Sequence, residues 1–327
     1  MRISKVRYGA ARLAVAAFAA LAWAGAASGQ TNPPRTADGL PDIEGIWSNA
    51  SIIPLERPKE LAGKSTFTAS EFADYKKTVF ARVNRDRPGQ KGVGTYNQFW
   101  WDQDARMAPN LHTSLILDPP DGRVPPLTAE AQRRMEERRE YARQHPADGP
   151  EDRSLMERCL LFPTTGPPML PSFYNGTIFG PLTTNYQIVE TRDYVIIYIE
   201  LNHEVRRIPL DGRPHLAANV RQWLGDSRGH WEGDTLVVDT TNFTGKTNFK
   251  GTDENLHLTE RFTRIRPDVL MYQFTVDDPT AFTRPWSAQA PMVASPGPLY
   301  EYACHEGNYG LAGVLAGARA EEKKNLP

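Results

Sequence analysis

The chain has few of the residues, and none of the spacings, that mark the common cofactor and metal sites. Its 327 residues include two cysteines that do not form a Cys-x-x-Cys pair, so neither a redox dithiol nor covalently attached haem is expected. The seven histidines are dispersed and show no His-x-His or His-x-x-x-His spacing. No phosphate-binding loop and no dinucleotide-binding fingerprint is present. We predict no cofactor and no metal. The alternative is a metal held by histidines that are distant in sequence, because the spacing of residues along the chain does not test for such a site.

Charge of either sign is not in excess. Lysine and arginine number 38 and aspartate and glutamate 39, for a formal net charge of −1. Nucleic-acid-binding domains cluster basic residues on one face, and this chain has no such run. Beyond its N-terminal segment, no apolar run approaches the roughly 20 residues of a membrane-spanning helix. We expect no nucleic-acid partner and no membrane span in the mature chain, and a small molecule as ligand or substrate.

The N-terminal segment, residues 1–29, has the three parts of a secretory signal peptide. Four basic residues precede an alanine-rich apolar stretch at 13–27, and small residues follow at 27–29. Removing the four positive charges takes the formal net charge from −1 to −5. The prediction is an exported protein, periplasmic or secreted. A membrane anchor is the alternative, and the shortness of the apolar stretch disfavours it.

The two cysteines, Cys159 and Cys304, are expected to form a disulfide. An even number of cysteines in an oxidising compartment favours pairing. Two buried thiols are the alternative.

Residues 30–182 are predicted to form a strand followed by a helical, proline-rich arm. Apolar and polar residues alternate over 42–48, as in a half-buried strand. A capping box, Thr68 to Glu71, opens a helix over 68–83, and Thr128 opens a second helix over 128–145. The second helix is densely charged, which favours a solvated helix with ion pairs four residues apart over a partner-binding face. Residues 146–181 are rich in proline and are expected to lie over the core.

Residues 183–327 change character and predict a mainly β core. Short strands at 186–190, 194–201, 204–209, 235–240, 256–265, 269–276 and 282–292 are separated by turn residues, the pattern of an antiparallel barrel or sandwich. A helix at 308–324 closes the chain. The predicted organisation is therefore a signal peptide at 1–29, an arm at 30–182 and an antiparallel β core with a C-terminal helix at 183–327.

Several phrases of the sequence resemble an uncharacterised family of exported bacterial proteins with a lipocalin-like β-barrel core. The phrases are the Gly-Ile-Trp of residues 45–47 and residues 96–102, 225–236, 254–257 and 302–309. The resemblance covers nearly all of the mature chain. It implies a bacterial source and a lipocalin-like barrel, and it supplies no catalytic residues.

Polar clusters near predicted strand ends supply the candidate site residues. Residues 202–206 and 301–306 mix imidazole with carboxylate, and residues 225–231 place an acid, a hydroxyl, a guanidinium and an imidazole between glycines. The structural alternatives are a surface ion pair, a helix-entry loop and a turn in which Asp226 caps its own backbone. The predicted catalytic residues are His203, Asp226, Arg228 and His305, and the predicted substrate-binding residues are Trp100, Trp101, Trp231, Glu204 and Glu306.

We expect three of these groups, His203, Arg228 and His305, to face one cavity at the barrel mouth, where strand-end residues point inward. The function predicted is a cofactor-free exported enzyme, a lyase, isomerase or hydrolase, acting by acid–base chemistry on a small, partly apolar molecule. A non-catalytic periplasmic binding protein for a hydrophobic or aromatic ligand is the alternative. A third interpretation is an interaction or structural protein, which is supported only by the long arm and the charged helix.

Overall fold

The computed structural model describes residues 34–83, 110–162, 166–170, 185–246 and 249–324. These residues belong to one compact unit, Pro33–Pro327. The predicted signal peptide and the predicted substrate-binding residues Trp100 and Trp101 lie outside the described residues.

Ten strands and three α-helices make up the described chain, and most coincide with the segments predicted from residue alternation and caps. In chain order they are β1 Gly45–Ser48, α1 Ala69–Val83, β2 Ile116–Asp118, α2 Ala129–Gln144, β3 Asn185–Glu190, β4 Tyr194–Ile199, β5 Glu204–Pro209, β6 Asp226–Glu232, β7 Thr235–Thr241, β8 His257–Arg266, β9 Val269–Asp277, β10 Trp286–Ala294 and α3 Tyr309–Lys324.

Nine of the strands form a nearly closed antiparallel barrel, which confirms the predicted fold class. The hydrogen-bonded order is β5-β4-β3-β1-β10-β9-β8-β7-β6, and β2 pairs with β10 off this path. The first strand is therefore inserted between β3 and β10, where Trp47 lies opposite both Tyr186 and Ala294.

Side chains close the seam between β5 and β6, which lie side by side without a strand ladder between them. Arg206 of β5 donates from Nη2 to Oγ of Ser227 on β6 at 3.3 Å. Ile208 and Leu210 cover Gly229, where an added Cβ would lie 2.8 Å from each of them. A residue larger than glycine would force these strands apart, so the close approach depends on Gly229.

Alternation along the strands directs one face of every barrel strand into the core. Tyr272, Phe274 and Trp286 are buried there, and the Phe274 and Trp286 rings meet edge to face with centroids 5.8 Å apart. Such aromatic contacts add to the free energy gained by burying the rings. These side chains belong to a buried core cluster that also includes residues outside the barrel strands, such as Met169 and Leu170.

One ion pair lies inside this core. The Arg206 guanidinium contacts the Glu260 carboxylate with Nη1–Oε1 at 3.0 Å and Nη2–Oε2 at 2.5 Å, and the side chains are 2% and 0% exposed. The Tyr272 hydroxyl donates to Glu260 Oε1 at 2.8 Å and accepts the backbone N–H of Met169 at 3.0 Å. This network ties β5, β8 and β9 to the proline-rich arm, whose Met169 is buried.

The two predicted N-terminal helices begin at their predicted caps. The backbone N–H of Thr68 donates to Glu71 Oε2 at 2.8 Å, and the backbone N–H of Glu71 donates to Thr68 Oγ1 at 3.3 Å. Thr128 Oγ1 accepts the backbone N–H of Ala131 at 3.1 Å. Of the α2 side chains, only that of Ala131 is buried, so this charged helix is largely solvated, as predicted.

Strand β6 corrects the sequence-based interpretation. A turn in which Asp226 caps its own backbone was the structural alternative for residues 225–231, and it is wrong, because residues 226–232 are a strand paired with β7 along its whole length. The glycines suggested a turn, and yet Gly229 lies in the strand because Ile208 and Leu210 need the space of its missing side chain. The Asp226 carboxylate accepts the backbone N–H of Leu216, ten residues away, at 2.9 Å.

The predicted disulfide is confirmed. Cys159 and Cys304 are bonded, with Cα atoms 5.7 Å apart and a sequence separation of 145. It fastens the segment before α3 to the arm, and the Asn308 side-chain amide donates to the Glu157 carbonyl at 2.7 Å beside it. Among the described helices, none is both long and apolar enough to cross a membrane.

Candidate functional site

Five ionisable side chains meet on the outer surface of the barrel, around the start of β6, the end of β7 and the start of β8. We refer to His215, Asp226, Arg228, Asp239 and His257 as the His–Asp cluster. Four come from the strands, and His215 comes from the loop between β5 and β6. Each member is joined to another by a hydrogen bond or an ion pair.

The period of two along a strand explains why these residues share a face. Ser227 faces inward, so Asp226 and Arg228 on either side of it face outward. Arg228 lies directly opposite Asp239 on β7. His257 precedes the inward-facing Leu258, which lies opposite Thr240. Strand register therefore assembles the cluster from residues that are not close in sequence.

Asp239 lies between two imidazoles. Its Oδ1 is 2.8 Å from Nε2 of His215, and its Oδ2 is 2.5 Å from Nε2 of His257. Partial burial acts to raise the pKa of Asp239, but the hydrogen bonds from His257 and His215 outweigh it, and the pKa is lowered overall. Asp239 is therefore an ionised carboxylate that orients two histidines.

Asp226 is the most buried carboxylate of the cluster. Its Oδ1 accepts from Arg228 Nη1 at 2.6 Å, and its Oδ2 accepts the Leu216 N–H at 2.9 Å and contacts His215 Nδ1 at 3.0 Å. These three contacts offset the cost of burying the charge. Asp226 consequently holds both Arg228 and the His215 loop against the barrel.

His257 presents one ring nitrogen to solvent. Its side chain is 45% exposed, and within the described residues no hydrogen bond engages Nδ1. The hydrogen bond from Nε2 to Asp239 raises the pKa of His257 above its usual 6.5, despite some opposing desolvation. A neutral His257 with Nε2–H on Asp239 has a lone pair on Nδ1, which makes it a base oriented by a carboxylate.

Arg228 also has one nitrogen, Nη2, that could donate to a ligand. Its Nε donates to the Pro214 carbonyl at 3.0 Å, and Nη1 donates to Asp226 and to the Ser227 carbonyl at 2.6 and 2.7 Å. No hydrogen bond to Nη2 occurs in the part of the chain that the structure describes. The side chain is 15% exposed. Arg228 is thus fixed at two of its three nitrogens and could donate the third to a ligand oxygen.

Apolar side chains accompany these polar groups. Leu216, Val220 and Trp223, all in the loop that carries His215, are exposed. Leu216 follows His215 directly and donates its backbone N–H to Asp226. A ligand at the cluster would therefore find an exposed apolar side chain, Leu216, near the ionisable groups.

The arrangement is not that of a metal site. In the described ranges, no group of three or more His, Cys, Asp and Glu side chains is placed to hold a metal ion. Both nitrogens of His215 already contact carboxylates, and so does Nε2 of His257. The cluster is suited to proton transfer and hydrogen bonding.

Residues 225–229, Gly-Asp-Ser-Arg-Gly, also match the Gly-x-Ser-x-Gly pattern of serine hydrolases, and the structure argues against that role. A nucleophilic serine of that type sits on a sharp turn between a strand and a helix. Ser227 instead lies within β6, is buried, and has its hydroxyl 2.9 Å from Thr240 Oγ1 and 3.3 Å from Arg206 Nη2. Its hydroxyl belongs to the core network.

Two of the four predicted catalytic residues, Asp226 and Arg228, are members of the His–Asp cluster. The other two lie beside the C-terminal segment. His203 is exposed, with Nδ1 3.3 Å from the Tyr302 carbonyl, and His305 is exposed just after the disulfide. No contact among the described residues joins His203, Arg228 and His305, and a shared cavity for them stays a prediction.

Three of the predicted substrate-binding residues lie in the part of the chain that the structure describes, and none of the three is a member of the His–Asp cluster. Glu204 is half-buried, accepts a hydrogen bond from the Asn202 amide at 3.1 Å, and has a pKa raised by burial. Glu306 is exposed. Trp231 lies on the inward-facing side of β6, partly buried against the core, where it has a packing role. Their part in binding a substrate stays a prediction.

Sequence reasoning missed His215, Asp239 and His257. Asp239 occupies an ordinary polar position of an alternating strand, and His215 lies in an exposed loop without a motif. His257 ends a phrase shared with the resembling family, which drew attention to the segment and not to the residue. The sequence could have indicated these residues only through Asp226 and Arg228, which face outward if β6 is a strand. The segment had first to be recognised as a strand.

Comparisons with known proteins add no assignment. No protein-family model matches the chain, and no curated protein matches it. The candidate site therefore rests on its geometry.

Proposed function

We propose that the protein is an exported, cofactor-free enzyme that performs acid–base chemistry, as a lyase, isomerase or hydrolase, on a small, partly apolar molecule at the His–Asp cluster. One observation carries the proposal. Asp239 orients His257 so that Nδ1 faces outward, on the same surface where Arg228 keeps Nη2 for a ligand oxygen. Export rests on the N-terminal segment and is supported by the disulfide.

The hydrogen bonds indicate a catalytic role for each of His257, Asp239 and Arg228. Neutral His257 would take a proton from a C–H or O–H group of the substrate at Nδ1, and Asp239 would stabilise the resulting imidazolium. The electron pair left behind would move onto a substrate oxygen, where Arg228 Nη2 would donate to the developing negative charge. Return of the proton from Nδ1 to product or leaving group would restore His257.

Leu216 and Trp223 support the apolar part of the proposed substrate. Both are exposed in the loop that carries His215, and the Leu216 backbone is hydrogen-bonded to Asp226. Exposed apolar side chains near convergent polar groups are typical of small-molecule sites. The same residues would serve the alternative function, capture of a hydrophobic or aromatic ligand without reaction.

A paired screen distinguishes these functions. The purified mature protein is incubated with small aromatic and terpenoid-like metabolites. Chromatographic retention, mass and thermal shift are then measured together. A lyase or hydrolase gives a product of different mass, an isomerase gives a product of equal mass and different retention, and a binding protein shows a thermal shift alone.

Variants assign the activity to the cluster. His257→Gln and Asp239→Asn should each lower turnover by at least about 100-fold, the usual contribution of a positioned acid–base group. His230→Gln is the matched control, because His230 also contacts a carboxylate, Glu232, but lies on β6 outside the cluster. Retention of full turnover in both His257→Gln and Asp239→Asn would overturn the proposal.

A further inference from the structure

The outer face of strands β3, β4 and β5 carries apolar side chains. Val189 on β3 and Val205 on β5 point outward and are 39% and 55% exposed, and Ile196 on β4, directly opposite Val189, is partly exposed. An antiparallel sheet with one buried face usually presents polar residues to water on the other. Exposed apolar side chains on three adjacent strands therefore indicate a surface that contacts another molecule.

Strands β8 and β9 give a comparison within the same barrel. Thr259 lies opposite Thr275, and Arg261 lies opposite Gln273. All four alternate with buried residues and so point outward. The outer face of these two strands follows the usual pattern at these positions, whereas that of β3, β4 and β5 departs from it.

Strand register arranges one set of outward residues in a row across four strands. Val189 lies opposite Ile196, and Ile196 lies opposite Arg207. On the other side, the register of β1 against β3 places Glu44 beside Val189, and Glu44 points outward because it follows the buried Ile43. We refer to Glu44, Val189, Ile196 and Arg207 as the outer row. It has an acid at one end, a base at the other and two apolar residues between them.

The two charged ends of the outer row have no ion partner in the part of the chain that the structure describes. Arg207 is exposed, and its guanidinium lies over the Tyr194 ring, 5.3 Å from the ring centroid. Glu44 is exposed and accepts the backbone N–H of Glu190 at 2.8 Å. The neighbouring ion pairs do not include either residue. Both charges are therefore available to a second molecule.

We propose that this face is a homodimer interface, in which the outer rows of two copies lie face to face about a twofold axis parallel to the strands. Such an axis reverses the order of the strands, so Glu44 of each copy lies over Arg207 of the other, and Val189 lies over Ile196. Two ion pairs then flank an apolar centre. Barrel strands are tilted by about 35–45° to the barrel axis, so the surface curves gently across the strands and the long side chains at its edges can meet.

The charge pattern selects a second copy of this chain as the partner, because the outer row complements itself. The contact is small, since it spans four strands that are about 4.8 Å apart, and interfaces below about 1,200 Å² are those of weak, reversible complexes. We therefore expect a dimer that dissociates on dilution. The inference goes beyond the proposed function, because the His–Asp cluster lies on other strands, β6 to β8, and stays accessible in the dimer.

Sedimentation velocity with charge-reversed variants tests the interface. The mature chain is measured from about 1 to 300 µM, the range in which weak complexes form and dissociate, and the wild type should show a monomer–dimer equilibrium. Glu44→Arg gives a row with bases at both ends, and Arg207→Glu gives a row with acids at both ends. Each variant should dimerise at least about tenfold more weakly than the wild type, because like charges meet at both ends of the contact.

An equimolar mixture of Glu44→Arg and Arg207→Glu supplies the decisive comparison. Every base of one variant then faces an acid of the other, so the mixture should dimerise as the wild type does, which also shows that both variants are folded. Glu60→Arg is the matched control, because Glu60 is exposed in the arm and has no ion pair among the described residues; it should dimerise normally. A wild type that is monomeric throughout, a dimer that neither reversal weakens, or a mixture no more dimeric than its components would overturn the inference.

Discussion

The buried pair of Arg206 and Glu260 allows a stability prediction in which the two partners are not equivalent. Glu260→Gln keeps the shape of the side chain and removes its charge. It leaves a guanidinium that is 2% exposed without a counter-ion. Arginine cannot lose its proton in a protein, so the charge stays buried. We expect the free energy of unfolding to fall by about 3–5 kcal/mol, the usual cost of breaking a buried ion pair from one side.

Arg206→Met should cost less than Glu260→Gln, because the Glu260 carboxylate keeps the hydrogen bond from the Tyr272 hydroxyl. The double variant Arg206→Met/Glu260→Leu should lie within about 1 kcal/mol of the wild type or above it.

Urea unfolding with the disulfide intact measures these differences. Tryptophan fluorescence reports the transition, and an unchanged slope with a shifted midpoint isolates the change in stability. If Glu260→Gln lies within about 1 kcal/mol of the wild type, the Arg206–Glu260 pair is not desolvated. A double variant less stable than either single variant would equally contradict the reasoning.

Three further predictions concern pH and backbone conformation. Burial, with Asp42 and Glu44 nearby, raises the pKa of Glu190 to about 7. Because ionisation above that pH opposes folding, Glu190→Gln should be more stable than the wild type above about pH 7 and equal to it below about pH 4.5, as thermal unfolding can show. The pKa of His257 is also raised, so the stability lost in His257→Gln should be largest below about pH 6.5 and should vanish as pH rises through the folded-state value. Gly225→Ala should destabilise more than Gly212→Ala in urea unfolding, since both have positive φ but only the Cβ at 225 would lie 2.7 Å from the β7 backbone; equal losses would exclude the packing argument.

The mainly β architecture could be predicted because alternation and turn chemistry agree along most of the core. Strands β5 and β7 to β9 coincide closely with the predicted segments, as do the three helices. The start of β10 was placed too early, at 282 instead of 286. Ala281 and Phe282 are buried apolar residues, which suggested a strand. The backbone N–H of Ala281 instead donates to the Asp278 carboxylate in a turn, and Phe282 pairs with Leu127 in an isolated bridge.

The candidate site was less accessible to sequence reasoning because it is built across strands. A dense run of ionisable residues identified Asp226 and Arg228, but the partners of those residues depend on the register of β6 against β7 and of β7 against β8. A one-residue shift of either ladder would turn Asp239 into the core. The contact of His215 depends in addition on the path of a loop, which no periodicity encodes.

Strands β6, β7 and β8 contribute to the buried polar network around Arg206 on their inner face and to the His–Asp cluster on their outer face. Ser227 and Glu260 face inward to Arg206, whereas Asp226 and Asp239 face outward to His215. Neighbouring positions along β6 therefore belong to different systems, one of which stabilises the barrel and the other of which is exposed to solvent. The inner network does not contact the proposed substrate, and the outer cluster buries little apolar surface. Substitutions should therefore change stability and turnover separately. Glu260→Gln should lower stability with little change in the turnover of the folded fraction, and Asp239→Asn should lower turnover with a much smaller change in stability.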